Sequence, residues 1–243
     1  MKVRKLASVL MAAVVAVAVM GSMALAEGAT IKGKVKWDGK PYKGKQVELN
    51  AECEGFHGGK ANAPRAEAVV TNENATLRNV YLHVKNPPEG GAAAPTTPIV
   101  MDQKGCVYTP HVLGVRVGQT IEIRNSDPTA HNIHFLPKKN PEFNQSQPKQ
   151  GLVNTLVFKR AEVMVPVKCD VHPWMNAFVG VSDHPFFAVT GEDGMFTITG
   201  LPPGKYTVEA WHEKYGTKEM VVEVSTDDTK EIEFTYSRPV KEE

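Results

Sequence analysis

The feature that most constrains this chain is a side-chain period of two, broken repeatedly by glycine and proline turns. Ile31, Gly33, Val35 and Trp37 alternate with Lys32, Lys34 and Lys36, and Asp38-Gly39 closes the run. Val80, Leu82 and Val84 alternate with Tyr81 and His83 before Pro87-Pro88, and Ile121 and Ile123 alternate with Glu122 and Arg124. Later come Phe196 and Ile198 ahead of a Leu201-Pro202-Pro203-Gly204 turn, then Tyr206, Val208 and Ala210, then Ile232, Phe234 and Tyr236. Side chains on a strand point alternately to its two faces, so each run offers one apolar face to a core. With 20 Gly and 17 Pro in 243 residues, three turns of helix are hard to place after residue 26. The expectation is an all-β chain, arranged as sandwich or barrel. Pro87 to Pro98 and Pro137 to Gly151 are too polar or Pro-rich for strand interior and read as loops.

Residues 1–26 stand apart. Lys2, Arg4 and Lys5 precede an Ala/Val/Leu/Met run from Leu6 to Met20, and Ala24-Leu25-Ala26 has the small-x-small form of a cleavage site. This is the pattern of a secretory signal peptide, with an uncleaved anchor as the alternative. The expected location is therefore periplasmic or secreted, with no stable membrane insertion once the signal is removed. Cleavage takes three positive charges and no negative one, so the formal charge goes from +1 to −2. A chain so balanced lacks the basic excess of a nucleic-acid binder.

Three cysteines in an oxidising compartment leave one over. Cys53 and Cys106 both lie in Gly-containing loop sequence and read as a disulfide; the alternative is two free thiols too far apart to bond. Cys169 then needs an occupation. It sits in Val167-Lys168-Cys169-Asp170-Val171-His172-Pro173-Trp174-Met175, a strand ending in Cys, with His three positions on and Met three beyond that. Upstream, Asp127-Pro128-Thr129-Ala130-His131-Asn132-Ile133-His134-Phe135 supplies another histidine. Two imidazoles, a thiolate and a thioether are the donors of a blue-copper electron-transfer site, where soft sulfur suits Cu(I) and imidazole suits Cu(II). Singly, a Cys or Met in a β-protein is core, and a His in a turn is solvated. Together, on a chain with an unpaired thiol, they read as one mononuclear site. Pro173 stands where a dinuclear centre would need a second Cys, and Lys168-Cys169-Asp170 is not the His-Cys-His run of a multicopper oxidase. Neither Cys-x-x-Cys-His nor His-Glu-x-x-His is found.

At these residues the chain resembles the cupredoxins, and its Cys-x-x-His-x-x-Met loop and His-Asn-x-His-Phe segment are those of amicyanin-like members. The resemblance implies a Greek-key β-sandwich holding one type 1 copper, with His131, Cys169, His172 and Met175 as ligands. It implies Asn132 as the residue that holds the ligand loop by hydrogen bonds. It also implies His172 as the solvent-edge ligand through which electrons pass, beneath an apolar patch for which Pro173, Trp174 and Phe178 are candidates, with Leu113 a weaker one. His134 lies an odd number of residues from His131 and is expected to face the other way. His83, His111, His184 and His212 read as structural or surface. His57, four residues after Cys53, reads as part of a disulfide-anchored loop rather than a second metal site.

The Gly194-Met195-Phe196 strand start and the Leu201-Pro202-Pro203-Gly204 turn resemble the carboxypeptidase regulatory-like, or transthyretin-like, β-sandwich. Fifty residues are too few for one, but Gly33 to Pro41, with Val47-Glu48-Leu49 as the next strand, looks like its beginning. The expected division is a discontinuous regulatory-like domain of residues 27–66 and 186–237, with a cupredoxin domain of residues 67–185 inserted; a cupredoxin followed by a C-terminal extension is the alternative. Trp211-His212-Glu213 reads as surface. The functional expectation is single-electron transfer, not catalysis, with a redox partner such as a periplasmic cytochrome or a dehydrogenase. Copper storage or delivery, and a surface-binding module with structural copper, are the alternatives.

Overall fold

A computed structural model describes residues 28–90 and 92–238; the proposed signal segment lies outside them. The first half carries strands β1 (Ala29–Asp38), β2 (Tyr81–Val84), β3 (Ile99–Gln103), β4 (Tyr108–Thr109), β5 (Val112–Arg116) and β6 (Thr120–Asn125), with a short helix α1 (Ala51–Phe56) after β1. Then follow β7 (His131–Phe135), β8 (Phe143–Gln147), β9 (Val153–Val157), β10 (Glu162–Lys168) and β11 (Asn176–Ser182). The chain finishes with β12 (Phe187–Val189), β13 (Met195–Leu201), β14 (Gly204–His212), β15 (Gly216–Val224) and β16 (Thr229–Ser237). The fold is all-β, as the alternation requires.

Four sheets result, ordered β13-β1-β16, β12-β2-β14-β15, β5-β11-β10-β7-β8 and β4-β3-β6-β9. In β1, which lies between β13 and β16, the apolar set faces the core, while its lysines face out and pair with acids across the parallel register: Lys32 with Glu231 at 3.0 Å and Lys36 with Glu233 at 2.7 Å. Gly33 sits where any Cβ would meet the Ile232 carbonyl oxygen at 1.8 Å, so only glycine lets these strands approach.

The first two sheets share one buried cluster, which includes Ile31, Trp37, Leu77, Leu82, Phe196, Val208 and Phe234. The other two share a second, which includes Met101, Ile121, Ile133, Val165 and Val179. The expected boundary at residue 67 does not match this distribution. Val69, Leu77, Val80, Leu82 and Val84 belong to the first cluster, and β2 pairs with β12 and β14. Cys53, expected with the first unit, is buried in the second. The reason is that β2 is covered on both faces. Leu82 and Val84 face one core, while Tyr81 packs in a third cluster with Val112 and Met164, against which Phe178, Phe187 and Trp211 rest. That joint is tight because β5 and β11 put Gly114 opposite Gly180; a Cβ on Gly180 would stand 2.5 Å from the Tyr81 ring, and one on Gly114 2.6 Å from Phe187.

Two local expectations fail. Phe143–Gln147, inside the expected loop, is strand β8: an edge strand hydrogen-bonded to β7 needs little apolar content on its open side. Val47 to Leu49 is not strand. The chain turns instead into α1, with the Asn50 side chain capping it by accepting from the Cys53 N–H at 2.8 Å.

Candidate metal centre

The centre is built at one end of the five-stranded sheet. Strand β10 runs antiparallel to β7, with Lys168 opposite His134, and delivers Cys169 just beyond the end of that pairing. The chain then makes a tight loop, closed by Cys169 N–H to Met175 O at 3.2 Å and Met175 N–H to His172 O at 2.9 Å, before β11 begins. From the other side, the turn between β6 and β7 is held by the buried Asn125, whose amide donates to Thr129 O at 2.8 Å and Gln147 O at 3.0 Å. That turn delivers His131.

Three of the expected ligands converge. The Nδ1 atoms of His131 and His172 stand 3.0 Å apart, and Cys169 Sγ lies 3.9 Å from His172 Nδ1. The donor atoms of all three residues lie within 4.8 Å of one another, all buried. At the tetrahedral angle, two imidazole nitrogens about 2.0–2.1 Å from a shared ion stand about 3.3–3.4 Å apart, and a thiolate sulfur at about 2.3 Å stands about 3.5–3.6 Å from each nitrogen, within a few tenths of an ångström of the separations here. The side chains therefore fit a metal ion with little rearrangement. Met175 is fully buried in the same apolar cluster as Cys169. Cys169 is the free cysteine beside the Cys53–Cys106 disulfide, whose Cα atoms are 5.9 Å apart.

The surroundings of Cys169 shift its thiol toward ionisation. Burial pushes the Cys169 thiol up, but hydrogen bonds from His131 and from the N–H groups of Asn132, His172 and Val171 outweigh it, and the net shift is downward. Burial likewise works against charge on His131, but Asp127 and Cys169 overcome it and its pKa rises. His172 moves down, through burial first and then the neighbouring His131 charge.

Asn132 does hold the loop: its Oδ1 accepts from Asp170 N–H at 3.0 Å. His134 points away from the cluster, to Asp170 Oδ2 at 2.9 Å and Glu142 Oε1 at 2.5 Å. His57 Nε2 meets Gly105 O at 2.8 Å and so braces the disulfide loop.

The expected solvent edge is not there. His172 is only 2% exposed, because α1 carries Cys53 over it, with Sγ 3.7 Å from Nε2. Trp174 lies against the His172 ring, centroids 5.0 Å apart, and donates Nε1–H to Cys106 O at 3.1 Å. The expected apolar patch is dispersed: Pro173 is exposed, Phe178 packs on Trp211 in the joint, and Leu113 is core. His212 and Glu213 are not surface either. His212 is buried, and Glu213 Oε2 meets His111 Nε2 at 2.5 Å across the joint.

One residue that the sequence reading passed over completes the arrangement. Asp127 Oδ2 lies 2.9 Å from His131 Nε2, and its carboxylate also accepts from Gly105 N–H at 2.6 Å and Cys106 N–H at 2.8 Å. Its sequence signal was a carboxylate four positions before a ligand-type histidine.

Comparison with known proteins finds both expected resemblances. Residues 172–237 match the carboxypeptidase regulatory-like domain, a span that starts inside the candidate ligand loop and runs to the end of β16. A search of curated proteins found no match. Among solved structures, the Cu(I) form of a methionine-to-alanine mutant of amicyanin is 26% identical over 42% of this chain and 98% of its own, with a TM-score of 0.32. A purple cupredoxin from Nitrosopumilus maritimus is 24% identical over 35% and 99%, with a TM-score of 0.31. A copper-containing nitrite reductase from Thermus scotoductus SA-01 is 24% identical with a TM-score of 0.32; the match covers 40% of this chain and 25% of the reductase.

Proposed function

We propose that this is an exported mononuclear copper protein that passes single electrons between redox partners, with His131, Cys169, His172 and Met175 as ligands. The observation that carries the reading is the convergence of His131 Nδ1, His172 Nδ1 and the free Cys169 thiol in one buried place. Copper would supply a one-electron couple there. The chain's part is to keep the donors fixed in both states: β7 and β10 set two of them, and the short loop from Cys169 to Met175 sets the other two. The disulfide suits an oxidising compartment, which agrees with the export signal expected from residues 1–26. A cytochrome or a dehydrogenase outside the cytoplasm would be the partner.

The division into units follows the buried clusters. Residues 29–38, 69–84 and 186–237 would form the regulatory-like sandwich, a binding or spacing element, and residues 99–182 the copper unit, with α1 as its cover.

Burial of His172 favours a second reading, in which copper stays in one oxidation state and braces the fold. Voltammetry of the copper-loaded protein separates them. Electron transfer predicts a reversible one-electron wave that Cys169→Ser removes; bound copper with no wave would favour the structural role.

A further inference from the structure

Asp127 is a buried carboxylate, 4% exposed, and among the described residues it forms no ion pair with lysine or arginine. Its only charged or chargeable neighbour at pairing distance is His131, and its remaining hydrogen bonds come from the Gly105 and Cys106 amides. A buried anion without a cation is costly unless positive charge stands behind the group it touches. A proton or a metal cation on His131 Nδ1 would provide that charge, with the imidazole between the two. Asp127 accepts the Nε2–H, which leaves Nδ1 as the nitrogen turned toward Cys169 and His172.

We propose that Asp127 is the positioning residue for His131 and that it ties the disulfide loop to the metal centre. The inference rests on the copper reading above and adds to it what fixes one ligand. The Cys53–Cys106 bond holds the loop whose two amides orient the carboxylate, and the carboxylate orients the imidazole. Both imidazoles thus touch the same disulfide segment, His131 through Asp127 and His172 through Cys53 Sγ. The negative charge favours the more highly charged metal state, so Asp127 lowers the reduction potential. An asparagine cannot replace it, because its amide nitrogen accepts nothing and at least one of three N–H donors loses its partner.

The test is Asp127→Asn in the full chain, with Ser126→Ala as control. Ser126 lies in the same turn, but its hydroxyl donates to the Asp102 carboxylate, at 2.7 Å, and not to the His131 side. Three quantities are read: the His131 Nε2–H proton resonance in the metal-free protein, copper affinity by competition with a chelator, and the reduction potential. Asp127→Asn, which removes the charge and one acceptor, should shift the Nε2–H resonance and speed its exchange, weaken copper binding about 10–100-fold and raise the potential. Ser126→Ala should change none of them. An Nε2–H resonance and potential unchanged by Asp127→Asn, or moved equally by Ser126→Ala, would overturn the proposal. If the protein binds no copper, the Nε2–H readout still decides Asp127 while the copper reading fails separately.

Discussion

Acid should weaken the fold through two histidines outside the proposed metal centre, His184 and His212. Each is buried, and each uses Nδ1 as an acceptor: His184 from Phe186 N–H and His212 from Lys214 N–H, both at 3.1 Å. A protonated ring cannot accept. Burial above all lowers both pKa values from 6.5 to about 4, with Asp183 opposing and His83 and Arg116 assisting at His184, and Glu213 opposing and His111 and Lys214 assisting at His212. Since the folded pKa lies below the unfolded one, the unfolded chain binds more protons between about pH 6.5 and 4. Stability therefore falls as pH drops through that window. At 1.36 kcal/mol per pH unit, the whole effect is about 3 kcal/mol per ring, of which about 2 kcal/mol is lost by pH 5. Urea unfolding of the metal-free protein at pH 8 and pH 5 measures it, with His184→Asn and His212→Asn combined as the comparison, because an Asn oxygen can stand in for Nδ1. The wild type should lose about 4 kcal/mol more than the double variant between these pH values. Equal losses would refute the reasoning.

Gly180→Ala should drive a methyl into the Tyr81 ring and destabilise by about 1–3 kcal/mol, read from the denaturation midpoint; an unchanged midpoint would mean the joint is looser than described. Replacing Cys53 and Cys106 together by Ala opens a closure of 53 residues, for which loop entropy gives about 4 kcal/mol, and urea unfolding under non-reducing conditions reads it. The same variant should speed alkylation of Cys169 in the metal-free protein, since Cys53 no longer covers His172; an unaltered rate would argue against the cover. Asn132→Ala removes the acceptor for Asp170 N–H and should cost about 1–2 kcal/mol by chemical denaturation, with no loss expected if the loop is held otherwise.

What could be read from the residues was local. Alternation in Ile31 to Trp37 is caused by one buried and one more open face, so it marks that strand directly. The short Cys169–Met175 spacing is also local, and it points to a loop that brings its donors together. What escaped depends on distant partners. Strand β8 owes its state to pairing with β7, not to its own apolar content. Strand β2 is buried on both faces, so its pattern does not say which core it joins. The cover on His172 comes from Cys53, 119 residues earlier, held there by its disulfide to Cys106 and by the packing of α1. Asp127 gains its meaning from amides of the Gly105-Cys106 loop, which no spacing rule connects to it.

The central claim is that Cys169 is a copper thiolate. The most direct test is the visible and EPR spectrum of the Cu(II)-loaded protein beside Cys169→Ser. The account predicts an intense blue or green thiolate-to-copper band with narrow hyperfine splitting, absent from the variant. A colourless protein, or an ordinary copper spectrum that the substitution leaves unchanged, would contradict it.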